Sequence, residues 1–268
     1  MIKKYLVIGN PIEHSLSPKL HNYWIKKYNL NATYEKKLIN ENEIKKIIKE
    51  VKDKKIHGIN ITVPFKQSVI PYIDQLTLEA NETKSVNTIY MENNKIMGHN
   101  TDIGGFELGL RYLKYDVKNK KIFIFGAGGV VSSIILGLKK MGALKITVCN
   151  RTKKKAEHLK KIFKEVDVVN WGEDIPSDVN MIINATSIGL KKNDDIKIDY
   201  NQIGSNKFFF DVIYNPKKTN FLKKAQEFGN RVENGKMMFI YQAHQAFTIW
   251  HKVMPEINDE VINLLNND

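Results

Sequence analysis

The chain has 268 residues, a hydrophobic share of 42% and one cysteine, Cys149. That length allows one large domain or two ordinary ones with a sizeable core, and a lone cysteine excludes an internal disulfide or a cysteine-based metal cluster. The formal charge of +13 is almost wholly lysine, mixed with Glu and Asn as in ENEIKKIIKEVKDKK; lacking an aromatic-basic platform, it reads as solvated helix surface rather than a nucleic-acid site.

MIKKYLVIGN enters a strand pattern at once, without the apolar stretch and cleavage site of a secretory signal. No apolar run reaches the roughly 18 residues of a membrane span, so the expectation is a soluble cytoplasmic protein with no membrane partner. Strands are predicted at 5–9, 32–39, 57–63 and 86–92. Helical patterns lie between them, at 17–28, 41–53 and, after Pro64, at 65–74. This first third reads as a small α/β unit. A helix over 102–114 leads into a second unit. There KKIFIFG is a continuously apolar strand of the kind buried on both faces of a parallel sheet, followed by GAGG and a helix ending at Gly142. KITVCN, a lysine-rich helix at 152–164, VDVVN, VNMIINAT, KFFFDVIY and the helix TNFLKKAQEFGN complete the alternation. After NG at 234–235 the pattern is helical to the end, broken at Pro255. The fold class is therefore α/β, with an N-terminal α/β domain, a Rossmann-like doubly wound domain, and a cleft between the two.

Strand, glycine turn, helix and strand over about thirty residues form the context of a dinucleotide site. Gly126, Ala127, Gly128, Gly129 and Val130 occupy the turn, where a missing Cβ lets a pyrophosphate approach the free N–H groups of the helix. Val131 stands where a third Gly or Ala would allow closer helix–strand packing. At the end of the second strand, Asn150-Arg151-Thr152 replaces the carboxylate that an NAD site places on the ribose 2′-OH. A guanidinium there can grip a 2′-phosphate through paired charge-assisted bonds, which points to NADP. Thr152 can also cap the next helix. Cys149 reads as core.

Polar residues gather outside the nucleotide unit. GNPIEHSLSP offers two hydroxyls, although Ser17-Pro18 is equally ordinary helix-capping chemistry. NITVPFK presents Asn60 and Thr62, with Lys66 just beyond a Pro turn. SVNT and GHNTDIGGF add Asn87, Asn100, Thr101 and Asp102. His14, His21, His57 and His99 have no ligand spacing on one helix, so no metal is expected.

Taken together, GNPIEHSLSPKLHN, NITVPFK, SVNT, GHNTDIGGF, GAGG, NRT, NATSIGL, DVIYNPKKTNFL and NGKMMFIYQAHQAFTIW follow the order of segments in shikimate dehydrogenases. The resemblance covers nearly the whole chain, and NITVPFK with NTD is highly specific. It implies an NADP-dependent enzyme that reversibly reduces 3-dehydroshikimate to shikimate in chorismate and aromatic amino-acid biosynthesis. It also implies Lys66 and Asp102 as the catalytic pair. Ser15 and Ser17 would then sit on the substrate carboxylate, and Thr62 and Asn87 on the ring hydroxyls, with Tyr214 and Gln242 as further substrate contacts. Lys155 would assist Arg151 at the 2′-phosphate, and Val212, Gly235 and Met238 would lie beside the nicotinamide. Leu78 stands at a position commonly acidic in that family. The implied domains are residues 1–101 for substrate, 102–234 for NADP, and 235–268 returning to the first, since Gln242 is to reach the same substrate as Ser15 and Lys66. The partner is a small molecule, and the chain is a monomer or a homodimer. Two alternatives are a quinate/shikimate dehydrogenase of broader specificity and a non-catalytic NADP-binding module.

Overall fold

Tyr5–Ile8, an uninterrupted apolar run, forms the buried part of strand β1 (Lys3–Gly9) in the computed structural model, which describes residues 2–266. Helix α1 (Ser17–Lys27) leads to β2 (Ala32–Leu38), and α2 (Ile44–Lys52) leads to β3 (Gly58–Ile61). Both strands run parallel to β1, one on each side. Next come β4 (Gln75–Leu76), α3 (Leu78–Thr83), β5 (Thr88–Glu92) and β6 (Lys95–His99). The sheet has the order β2-β1-β3-β5-β6-β4, with β5 antiparallel to both of its neighbours. Helix α2 buries Ile44, Ile47, Ile48 and Val51, an i, i+3, i+4, i+7 stripe, in a cluster with Leu6, Ile8, Ile59 and Ile89. Each such burial stabilises by about 1.5–3 kcal/mol.

The segment 65–74, expected as a helix, is instead a run of turns with one 3₁₀ turn at Ile70–Tyr72. Pro71 has no N–H for an α-helical bond, and the chain closes short i→i+3 bonds, such as Tyr72 N to Val69 O. Strand β6 was not anticipated, because KIMGH carries no clean alternation.

Helix α4 (Asp102–Tyr112) opens the passage to the second unit. There follow β7 (Lys121–Phe125), α5 (Val131–Lys140), β8 (Lys145–Cys149), α6 (Lys153–Ile162), β9 (Asp167–Val169), β10 (Met181–Asn184), α7 (Tyr200–Ile203), β11 (Phe208–Asp211), α8 (Asn220–Glu227) and β12 (Arg231–Asn234). Every pairing in this sheet is parallel, in the order β12-β11-β10-β7-β8-β9. That is the doubly wound Rossmann-like order, with its reversal between β7 and β10, where such sheets bind ligands beyond the strand C-termini. KIFIF, MIIN and FFFD are buried almost throughout, as strands covered on both faces must be. Strand β12 was also unanticipated; it is a partly exposed edge with little apolar content.

Helix α9 (Lys236–His251) begins in the second unit and ends in the first, which comprises the chain up to Gly105 and again from Ile240. Its anchor in the first unit is Trp250, whose Nε1 donates to Ile89 O (3.1 Å) and whose ring lies 5.1 Å from that of Tyr5. After the break at 252–258, α10 (Asp259–Leu264) starts on Asn258, whose side chain accepts from Val261 N.

Candidate active site

In the first unit, Lys66 and Asp102 are both buried, and Lys66 Nζ donates to Asp102 Oδ2 at 2.5 Å. The turn after Val63-Pro64 delivers the lysine, and Lys66 O accepts from Val86 N (2.9 Å), next to Asn87. Asp102 is the first residue of α4; its own N–H is satisfied by Asn100 Oδ1 (3.0 Å). The second carboxylate oxygen, Oδ1, accepts from Asn87 Nδ2 (3.0 Å). Asn87 is itself fixed, because its Oδ1 accepts from Thr101 N (2.8 Å) and Nδ2 donates to Thr101 Oγ1 (2.9 Å). Behind it, Thr88 Oγ1 donates to Asn87 Oδ1, and Asn60 Nδ2 donates to Thr88 Oγ1 and to Asn87 O. Tyr34 Oη donates to Asn60 Oδ1 (2.7 Å). An ammonium held by a carboxylate, at the end of a satisfied buried network, is a proton donor fixed in direction.

The remaining predicted substrate contacts differ in setting. Ser15 Oγ accepts from Ser17 N (3.3 Å), and Ser17 is the first helical residue rather than the cap, which is Leu16. The helix-capping reading of Ser17 is thereby corrected: the Ser15 hydroxyl meets the free N–H. Thr62 is half-buried just past β3. Gln242 lies half-buried on α9 in the first unit. Tyr214 belongs to the second unit, where its ring stacks on Phe239 at 4.5 Å. Leu78 is exposed on the first turn of α3.

In the second unit the chain turns from β7 into α5 through Gly126, Ala127, Gly128, Gly129 and Val130, with Val130 at the N-cap position. Gly126 has φ +114°, and a Cβ there would lie 2.6 Å from Ala185 O, so the chain itself requires glycine. Gly128 is different. A Cβ added there meets no atom within 4 Å, so the space beside this turn suits a phosphate approaching the backbone. Val131 fits fully buried under the first turn of α5.

Past β8, Asn150 Nδ2 donates to Thr152 O (2.9 Å), while Arg151, Thr152 and Lys155 are exposed. Thr152 occupies the N-cap position of α6 but makes no side-chain cap bond, which corrects the expected capping role. Val212 and Met238 follow β11 and open α9; a Cβ on Gly235 would lie 2.1 Å from Val212 O.

Sequence reasoning missed Thr88 and Tyr34 in the first unit and a buried trio, Asn184, Asp211 and Thr219, in the second. A polar residue closing an apolar strand, as in MIIN and FFFD, was the available signal. His21 is fully buried and stacked on Tyr34 at 4.1 Å, and burial pushes its pKa down to about 3. No group of three metal-ligating side chains occurs among the described residues. Cys149 is buried and free, its thiol pushed up to about 12 by desolvation.

Comparison with known proteins adds an independent line. The family model for the shikimate dehydrogenase substrate binding domain matches residues 7–89, and that for shikimate / quinate 5-dehydrogenase matches 107–218. A relative from Pelagibacter ubique, a shikimate dehydrogenase (NADP(+)), is 60% identical over 266 residues, covering 99% of this chain and 100% of the relative. The solved shikimate dehydrogenase from Aquifex aeolicus superposes with a TM-score of 0.90 at 40% identity, covering 100% of this chain and 98% of the other. A solved shikimate dehydrogenase in complex with NADP+ gives 0.91 at 35% identity, covering 99% and 95%.

Proposed function

The chain belongs to the shikimate dehydrogenase family, and we propose that its buried Lys66–Asp102 pair performs the proton transfer of the family's reaction. That reaction, the NADP-linked interconversion of 3-dehydroshikimate and shikimate on the route to chorismate and the aromatic amino acids, is its function. The observation that carries the assignment is the 2.5 Å contact between Lys66 Nζ and Asp102 Oδ2.

NADPH, when bound, supplies the hydride to the ketone carbon. Lys66 donates a proton to the ketone oxygen as negative charge develops on it, and takes the proton back in the reverse direction. Asp102 holds the ammonium in that orientation, while Asn87 holds the other carboxylate oxygen and borders the ring hydroxyls together with Thr62. The hydroxyls of Ser15 and Ser17 donate to the substrate carboxylate, and Tyr214 and Gln242 add contacts. Gly126 makes the turn, its own N–H being taken by Cys149 O (2.8 Å), and the backbone N–H groups that follow it, through Ala127, Gly128, Gly129 and Val130, receive the pyrophosphate. Asn150, Arg151, Thr152 and Lys155 bind the 2′-phosphate, and Val212, Gly235 and Met238 flank the nicotinamide.

The substrate domain is the first unit, which runs to Gly105 and therefore includes Asp102 and resumes at Ile240, and the NADP domain is the second, Phe106–Phe239. A single buried, unpaired cysteine fits a reducing cytoplasmic compartment.

The test is absorbance at 340 nm with shikimate and quinate, each against NADP and NAD. Shikimate with NADP is the expected best pair; equal rates with NAD would remove the 2′-phosphate role of Arg151. Comparable turnover of quinate would instead favour the broader-specificity reading.

A further inference from the structure

Asp211 is a buried carboxylate for which the mechanism above has no use. It closes β11 with no solvent exposure and faces only neutral donors. Oδ1 accepts from Asn184 Nδ2 (3.0 Å), at the end of β10, and from Ile213 N (3.0 Å), in the loop after β11. Oδ2 accepts from Thr219 Oγ1 (2.6 Å), the N-cap of α8. Asn184 extends the reach of this carboxylate: its Oδ1 accepts from Thr186 N (3.0 Å) and Thr186 Oγ1 (2.7 Å), and its Nδ2 also donates to Ile188 O (2.9 Å). One carboxylate therefore fixes two loops, 185–189 and 212–219, at the C-terminal edge of the sheet, on the β10 side of its reversal.

Those loops carry ligand-facing positions. Val212 N donates to Asn184 O (2.9 Å), Gly235 N donates to Ile213 O (3.3 Å), and Ala185 O lies against the Gly126 turn. On the assignment of Val212, Gly235 and Met238 to the nicotinamide, the network lies under the nicotinamide end of the cofactor. Arg151, after β8, lies on the other side of the reversal.

We infer that Asp211 is a positioning residue that sets the nicotinamide half of the NADP site without taking part in the 2′-phosphate half. Burial raises its pKa to about 6 against three hydrogen bonds that lower it. Its ionised form is accordingly costly: the stability it contributes is full below about pH 4 and is lost as pH rises through about 6.

The inference rests on the NADP reading and is tested by splitting the cofactor chemically. Adenosine 2′,5′-bisphosphate carries the adenine, ribose and 2′-phosphate but lacks the nicotinamide. Dissociation constants for NADPH and for this fragment would be measured on the wild type, Asp211→Ala and Thr219→Val, well below each variant's melting temperature. Thr219→Val removes one donor to the carboxylate and keeps the protein testable if Asp211→Ala does not fold. The expected result is at least a 10-fold weaker NADPH affinity in Asp211→Ala and a smaller loss in Thr219→Val, with fragment affinity within 2-fold of wild type. Equal weakening of both ligands in both variants would make Asp211 merely structural, and no weakening of NADPH would remove its role; either overturns the inference. A wild type that does not bind the fragment would instead defeat the 2′-phosphate reading itself.

Discussion

Lys66 and Arg151 are both cations just past the C-terminal end of a strand, yet their surroundings are opposites. Lys66 is buried, and an amide and two threonines fix the carboxylate it points to. Arg151 is exposed beside a backbone turn and a run of lysines. The difference follows from what each is proposed to do. A proton donor must be aimed before the substrate arrives, since misplacement lowers the rate steeply. A phosphate brings its own charge, needs donors able to close on it, and gains little from a pre-formed cage. The first region is thus organised by protein–protein hydrogen bonds, and the second by backbone N–H groups and solvated cations.

Short of removing Lys66 itself, the largest effect that would break this contrast is expected at Asp102. In Asp102→Asn the side chain keeps its shape but must turn an N–H towards either Lys66 Nζ or Asn87 Nδ2, both of them donors. We expect kcat to fall by on the order of 10²-fold, with the far-ultraviolet circular dichroism unchanged. A drop of only two- or threefold would mean that the pair is not pre-aimed. Arg151→Ala comes next and should weaken NADP binding by about 1.5–3 kcal/mol while NAD binding changes little. Titration of both cofactors checks it, and equal losses would make Arg151 structural. The smallest effect separates two glycines of one turn. Gly126→Ala should lower stability by about 1–2 kcal/mol, because it combines a positive φ with a contact to Ala185 O. Gly128→Ala should leave the melting temperature unchanged and weaken NADP several-fold, since an added Cβ meets no protein atom there. Thermal melts with and without NADP distinguish the two.

How much of this was readable from the residues follows the same division. KIFIF, MIIN and FFFD announce a buried parallel sheet because strands covered on both faces have no polar option, and GAGG gains meaning from the strand before it. Strand β12 escaped notice because an edge strand of sequence RVEN need not be apolar. The apolar spacing of 65–74 mimics a helix, and Pro71 vetoes it locally. Lys66 and Asp102 are 36 positions apart, so no periodicity pairs them, and only the family resemblance marked both. The network behind them is written in Thr88, Thr101, Asn60 and Tyr34, types equally at home in any strand or loop. Their roles come from cross-strand register, such as Asn60 opposite Thr88, which a single sequence does not display.

The measurement closest to the central claim is steady-state kinetics of Lys66→Ala with shikimate as the varied substrate at saturating NADP. The group that exchanges the substrate proton acts mainly in the transition state, so the account predicts a fall in kcat of ~10²–10⁴-fold with a much smaller change in the shikimate KM. Ser15→Ala in the same assay should show the reverse, a raised KM at nearly unchanged kcat, because its carboxylate contact persists throughout the reaction. A Lys66→Ala enzyme with near-normal kcat would contradict the account, and the hydroxyl proton would have to pass to water or another group.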